Sequence, residues 1–353
     1  MSERATFDPN APAGKDSGVF GLPFTEEDSA LVYLPVPWEA TTSYGGGTSE
    51  GPRAILEASK QVDLYDLDVE KPYAAGLCML QESEEVRAWN CAAKELAQEV
   101  IEGWGERPTD ELEALAQEVT VFSRKLNHYV EAETGRLLDA GKIPAIVGGD
   151  HAVPLGALRA VGSRASSFGV LHFDAHADLR DAYEGFQYSH ASILRNVLDE
   201  VPAVTKLVQV GIRDVCEQEI DFATEQGDRV VMFDDRTIQR SKAHGESFAS
   251  LADRIVAELP ERLWVTFDID GLDPRYCPHT GTPVPGGLDF SEAVHILRTV
   301  VLAGKTIIGF DLNEVAPNLS DENDEWDANV GARLLYKLTG FCLASRGLAT
   351  LRP

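Results

Sequence analysis

The chain has little cysteine and no CxxC pair. Its five cysteines, Cys78, Cys91, Cys216, Cys277 and Cys342, are scattered along 353 residues. That spacing argues against a cysteine-ligated zinc and a disulfide framework, and fits a reducing compartment. No run of about 18 apolar residues occurs, so no membrane-spanning helix is expected. The opening stretch, MSERATFDPNAPAGKDSGVF, lacks the basic and apolar regions of a signal peptide. These absences point to the cytoplasm. Positive charge is also scarce: 31 Lys plus Arg stand against 58 Asp plus Glu, a formal net charge of −27. No nucleic-acid partner is expected from such a balance. The acidity fits attraction of a cationic substrate, a salt-adapted surface (lysines are few and outnumbered by arginines), or plain acidity without special purpose. Most of the acids lie on helical stretches far in sequence from the residues singled out below, which favours the last two readings.

What is present is a globular composition, 44% hydrophobic and 25% charged. Residues 1–28 are polar, rich in Pro and Gly, and read as an arm. Residues 29–353 read as one domain. A strand is expected at 30–35, followed by a loop at 38–47 whose Gly45-Gly46-Gly47 run permits unusual backbone angles. A helix begins near Gly51-Pro52, with proline where its missing N–H costs little. The charged, alanine-rich stretch 86–140 predicts two helices broken around 103–108. Apolar strand-like runs follow at 144–147, 168–173, 206–210, 229–233, 263–267 and 306–310, with helical segments such as 247–258 and 291–301 between most of them. A last helix is expected from 327 to about 348. This alternation implies an α/β fold with a mostly parallel sheet covered by helices on both faces.

The ends of these strands carry the chemistry. His172-Phe173-Asp174-Ala175-His176-Ala177-Asp178 alternates acids and histidines, Asp268-Ile269-Asp270 adds an acidic pair, and Gly148-Gly149-Asp150-His151 precedes both. Residues two apart on an extended chain share a face, so Asp174, His176 and Asp178 are expected to point one way, and Asp268 and Asp270 likewise. With His151 this makes two imidazoles and four carboxylates beyond the carboxyl ends of neighbouring strands, where open α/β sheets bind ligands. Such a cluster needs its charge offset. Two divalent cations would neutralise the four carboxylates, and mixed nitrogen and oxygen donors suit Mn, Fe, Co, Ni or Zn better than Ca or Mg. The expected site is a two-metal hydrolytic centre. A buried polar network without metal would leave the carboxylates mutually repelled. His172 reads as a core or supporting histidine, and Asp150 as the residue that orients His151 through its other ring nitrogen.

Six segments in order, GGDH at 148–151, FDAHADLR at 173–180, YSHA at 188–191, FDIDGLDP at 267–274, TGTPVPGGL at 280–288 and NEVAP at 313–317, resemble the ureohydrolase family of arginases, agmatinases and guanidine hydrolases. The resemblance spans roughly residues 30 to 340. It implies a three-layer α/β/α sandwich and release of urea from a small cationic guanidino substrate at a binuclear metal centre. It makes His151, Asp174, His176, Asp178, Asp268 and Asp270 the ligands, with Asp174 and one of the later pair bridging. It implies a trimer or hexamer.

By the same resemblance His190 transfers a proton to the leaving amine, a role an imidazole fits near neutral pH. The alternative is a capping histidine. Glu314 would anchor the guanidinium through paired hydrogen bonds; otherwise it is an ordinary acid at a strand end. Thr282 either touches substrate or only shapes a turn. Thr41, Thr42 or Ser43 would reach the pocket from the glycine-rich loop. The stretch 325–333 and the FDPNAP arm look like the guanidine hydrolase branch, whose members use nickel. Trp326 would then wall off a small pocket, or simply pack at a helix start. The first expectation is therefore free guanidine with nickel, and the alternative agmatine with manganese. A non-catalytic subunit is disfavoured because the ligands, His190 and Glu314 are all present.

Overall fold

The computed structural model describes residues 7–14, 17–42, 44–321 and 323–353. In chain order the strands and α-helices are β1 (Leu31–Val36), α1 (Gly51–Ser59), β2 (Val69–Glu70), β3 (Leu77–Met79), α2 (Glu84–Gly103), α3 (Thr109–Asp139), β4 (Ile143–Gly148), α4 (Leu155–Gly162), β5 (Phe168–Phe173) and α5 (Ile193–Glu200). There follow β6 (Val204–Val210), α6 (Glu217–Glu225), β7 (Val230–Phe233), α7 (Asp235–Ala243), α8 (Phe248–Ala257), β8 (Arg262–Asp268), α9 (Phe290–Leu302), β9 (Thr306–Asn313), α10 (Trp326–Ser345) and β10 (Thr350–Leu351). Eight strands make one sheet in the order β3-β1-β4-β9-β8-β5-β6-β7, every neighbouring pair parallel. β2 and β10 form a separate antiparallel pair.

Every residue of β1, β4 and β5 is buried, as expected for a parallel sheet covered on both faces. The two-residue period sorts side chains between two cores. Leu31, Tyr33, Leu171 and Phe173 pack with Ile55, Ile255, Ile296 and Leu334 on one face. Leu34, Val36, Phe168 and Val170 pack with Val130, Leu158 and Val197 on the other. The α/β/α sandwich expected from the alternation is thus present. Strands β2, β3 and β10, each only two or three residues long, left no readable pattern.

The arm differs from its expectation. Val19, Phe20 and Leu22 are core residues, and the Phe20 ring lies 4.8 Å from that of Tyr336 on α10. Composition alone hides this, because only a few apolar residues in a polar stretch do the packing. No helix among the described residues is long and apolar enough to cross a membrane.

Candidate metal centre

The site lies beyond the carboxyl ends of β4, β9, β8 and β5, four strands adjacent in the sheet. β4 ends in glycine for a steric reason. A Cβ on Gly148 would sit 1.9 Å from Asn313 Oδ1, and one on Gly149 would sit 1.9 Å from the Trp38 carbonyl. The close packing of the chain there delivers His151 to the centre.

His151 Nδ1 faces three carboxylates: Asp174 Oδ2 at 2.9 Å, Asp178 Oδ2 at 3.1 Å and Asp268 Oδ2 at 3.4 Å. Its Nε2 lies 2.8 Å from Thr266 Oγ1. The Thr266 hydroxyl donates to Asp311, which also accepts from the Trp264 indole and the Asn313 amide. With its one proton spent on Asp311, Thr266 can only accept from His151, so the imidazole proton is assigned to Nε2 and the Nδ1 lone pair is free for an ion. This corrects the expectation for Asp150. Asp150 Oδ1 takes the Ala152 N–H, while its buried Oδ2 has no partner. Thr266 and Asp311 hold the ring instead.

A second group shares Asp174. His176 Nδ1 lies 3.4 Å from Asp174 Oδ1 and 3.1 Å from Asp270 Oδ2. Asp270 Oδ1 accepts the Ala175 N–H, and its buried Oδ2 makes no hydrogen bond.

The parity argument thus needs correction. β5 ends at Phe173, and Asp178 takes a left-handed φ of 56° that is uncommon for a non-glycine residue. Its carbonyl accepts the Leu194 and Arg195 N–H groups at the start of α5. Asp174 and Asp178 therefore meet at His151, while His176 turns to Asp270. Asp268 ends β8 and Asp270 lies in the 3-10 turn Ile269–Gly271, so these two also diverge, one to each imidazole.

The electrostatics describe negative charge gathered out of water. Burial, then Asp270 and Asp174, raise Asp268 well above the ordinary carboxylate range. Burial and Asp174 push Asp178 to about 7. Burial opposes charging of His151, yet the accepting carboxylates of Asp174, Asp178 and Asp268 beside its Nδ1 outweigh it and raise its pKa. Two divalent cations would relieve this repulsion. His151, His172, Asp174 and Asp178 bring ligand-type atoms within 4.8 Å of one another, as do Asp174, His176 and Asp270, and the Asp270 Oδ2 without a hydrogen bond borders the second group. The residues fit a pair of ions with Asp174 between them.

A cavity of about 530 Å³ opens from this centre and is lined by His176, Asp178, His190, Thr282, Tyr44 and Asp214 among others. His190 stands 5.8 Å from the Tyr183 ring, edge to face. Burial, then the charges of His176 and His151, push its pKa down to about 4. Glu314, also in the left-handed region at φ 63°, is buried; its Oε1 accepts the His151 N–H and its Oε2 faces Gly281. Burial, then Asp150, raise its pKa well above the ordinary value.

The weaker expectations fare unevenly. Thr282 lines the cavity. Thr41 is fully buried with its hydroxyl unpartnered, and the Thr42 hydroxyl closes a local turn on the Glu39 carbonyl. Ser43 lies outside the described residues. Tyr44, 75% exposed, is the loop residue that lines the cavity, together with Arg180, Tyr183 and Asp214, none of which had been singled out. Tyr44 belongs to the quoted glycine-rich loop, and Arg180 ends the FDAHADLR segment, so both signals were in view. Trp326 is corrected: it is 48% exposed, is not among the cavity's lining residues, and gives its indole N–H to the Arg275 carbonyl. In the 325–333 stretch, Asp327 accepts the His279 N–H and pairs with the His279 ring.

Residues 29–340 match the Arginase family. The sequence is 31% identical to an N(1)-aminopropylagmatine ureohydrolase of Synechocystis sp., over 89% of this chain and 89% of that protein. It is 31% identical to an agmatinase of Bacillus anthracis, over 86% and 88%. The fold is similar to that of a proclavaminate amidino hydrolase from Streptomyces clavuligerus, with a TM-score of 0.70 and 24% identity over 95% of this chain and 99% of that one.

Proposed function

This chain belongs to the arginase family of ureohydrolases, and from that premise we propose that it releases urea from a guanidino compound bearing an alkylamine tail, with agmatine as the representative substrate. The observation that carries this reading is the open cavity of about 530 Å³ running from the metal centre past His190 to Tyr44 and Asp214. That volume suits a ligand far larger than bare guanidinium. The first expectation, free guanidine, came from the resemblance of the 325–333 stretch and the arm to the guanidine hydrolase branch; Trp326, the residue that would have walled a small pocket, is not among those that line this cavity. The exposed carboxylate of Asp214 offers a counter-charge for the tail amine. Relatives named for agmatine and aminopropylagmatine point the same way.

His151, Asp178 and Asp268 would hold one ion, His176 and Asp270 the other, and Asp174 both. Bound there, the ions would supply a water acidic enough to attack at neutral pH, and charge to stabilise the tetrahedral centre. The protein's own groups do the rest. Glu314 receives the guanidinium N–H groups, and the cation favours its ionised form against burial. His190, neutral at working pH, takes a proton from the attacking water and passes it to the tail nitrogen. The C–N bond to the tail then breaks, the amine leaves protonated, and urea remains. Imidazole and carboxylate donors accept manganese or nickel; the agmatine reading goes with manganese and free guanidine with nickel.

The test is urea release from agmatine and from guanidine, using apoprotein reloaded with manganese or nickel. Agmatine turnover with manganese is the expected result. Turnover of guanidine alone, with nickel, would overturn the tail assignment and leave the metal chemistry standing. Full turnover by Glu314→Gln would remove the anchor.

A further inference from the structure

One register row beneath the ligands is polar across four adjacent strands. Gln209 on β6 pairs with His172 on β5, His172 with Thr266 on β8, and Thr266 with Asp311 on β9. All four side chains are fully buried. The centre of a doubly covered parallel sheet ordinarily takes apolar residues, so this row calls for an explanation. Thr266 and Asp311 account for themselves by orienting His151. His172 stands close enough to His151, Asp174 and Asp178 to share an ion with them, but both its ring nitrogens already have protein partners, Asp174 and Gln209, and Gln209 is no ligand.

The protons of this second half can be assigned. Gln209 Nε2 lies 2.7 Å from the Ala177 carbonyl oxygen and 3.0 Å from His172 Nδ1. The carbonyl can only accept, so the amide is oriented with nitrogen there and both its N–H groups are spent. His172 Nδ1 is then an acceptor, and the imidazole proton resides on Nε2. That N–H donates to Asp174 Oδ2 at 2.8 Å. The other oxygen, Oδ1, accepts the His176 backbone N–H at 2.6 Å. Each oxygen of Asp174 therefore has one protein donor and, beside it, one ligand imidazole nitrogen: His151 Nδ1 for Oδ2 and His176 Nδ1 for Oδ1. The carboxylate cannot rotate without losing both donors. Meanwhile Gln209 Oε1 is buried with no partner, a cost that an apolar residue would avoid.

We propose that Gln209 and His172 are positioning residues: Gln209 sets the tautomer of His172, and His172 holds Asp174 so that its two oxygens serve two different ions. This rests on the two-ion reading of the site. The design places the donor behind the carboxylate, where it tunes a ligand without occupying a coordination position.

The experiment compares His172→Leu, His172→Gln and Gln209→Leu with wild type. Manganese stoichiometry and both dissociation constants are measured on apoprotein by calorimetry. At saturating manganese, electron paramagnetic resonance reports magnetic coupling between the ions, which a packing role would not alter. Circular dichroism checks the fold of each apoprotein. His172→Leu and Gln209→Leu are expected to weaken at least one ion by about 10- to 100-fold and to diminish the coupling. His172→Gln, whose amide N–H reaches the place of Nε2, is expected to bind close to wild type. Unchanged constants and coupling in folded His172→Leu would overturn the proposal, as would His172→Gln being as weak as His172→Leu. If His172→Leu does not fold, Gln209→Leu decides by the same criteria. Wild type binding a single ion would instead refute the two-ion reading itself.

Discussion

His151 and His176 flank one carboxylate, yet their surroundings differ. His151 is 1% exposed, and its second ring nitrogen is wired through Thr266 to Asp311, Trp264 and Asn313. The His176 side chain is 26% exposed and borders the cavity. A ligand whose proton is already committed inside the sheet needs no rearrangement to bind an ion. A ligand at the cavity wall meets substrate and solvent. On the proposed two-ion reading, the His151 half is scaffold and the His176 half meets the reacting molecule, with Asp174 coupling them.

The most severe break in that comparison comes at Asp174. Asp174→Ala is expected to weaken both ions together and reduce urea release to background, as read by metal analysis after dialysis. Retention of one ion at full affinity would show that the halves are independent. Next in size, His190→Asn should lower kcat by about 10²- to 10⁴-fold while leaving metal content intact. The wild-type pH profile sharpens this point. Burial and the neighbouring imidazoles depress the His190 pKa to about 4, so its imidazole stays an acceptor as the pH falls past the ordinary histidine value. The acid limb due to His190 should therefore fall below the ordinary histidine value of about 6.5, and one at or above that value would contradict the assignment.

A smaller effect separates the two sides directly. Thr266→Val or Asp311→Asn should cost about 10- to 100-fold in affinity for the His151-side ion and spare the other, by calorimetric titration. Equal loss at both would erase the distinction. Smallest is the rim. Thr282→Ala should raise KM by the few-fold that one lost hydrogen bond of about 1 kcal/mol allows. Trp326→Ala should leave KM where it is; a large rise would restore the small-pocket expectation.

Much of this was legible in the chain. The apolar runs ending in acids and histidines located β4, β5, β8 and β9, because a strand buried on both faces must be nearly all apolar until it emerges. The six candidate ligands were legible as a cluster too, since four carboxylates and two imidazoles at neighbouring strand ends call for cations to offset their charge. Their division into two groups, around His151 and around His176, was not. It depends on the left-handed turn at Asp178 and the 3-10 turn at Ile269–Gly271, backbone choices that alternation cannot forecast. Asp150 was misread for the same kind of reason: it is next to His151 in sequence, whereas the residue that holds the ring comes from β8, more than a hundred positions away.

By itself, then, the sequence determined the α/β class, the strands that carry the site and the side chains that gather there as candidate metal ligands, since these follow from local periodicity and from the cost of burying charge. Only the tertiary structure decided which donor faces which acceptor. The row Gln209, His172, Thr266 and Asp311 exists because four strands drawn from separate parts of the chain pair in one register. The openness of the cavity was decided there as well, because Tyr44, Thr282 and Asp214 meet around His190 only when three loops converge. Register and loop convergence are long-range properties, fixed by packing among distant residues rather than by any segment's own propensity.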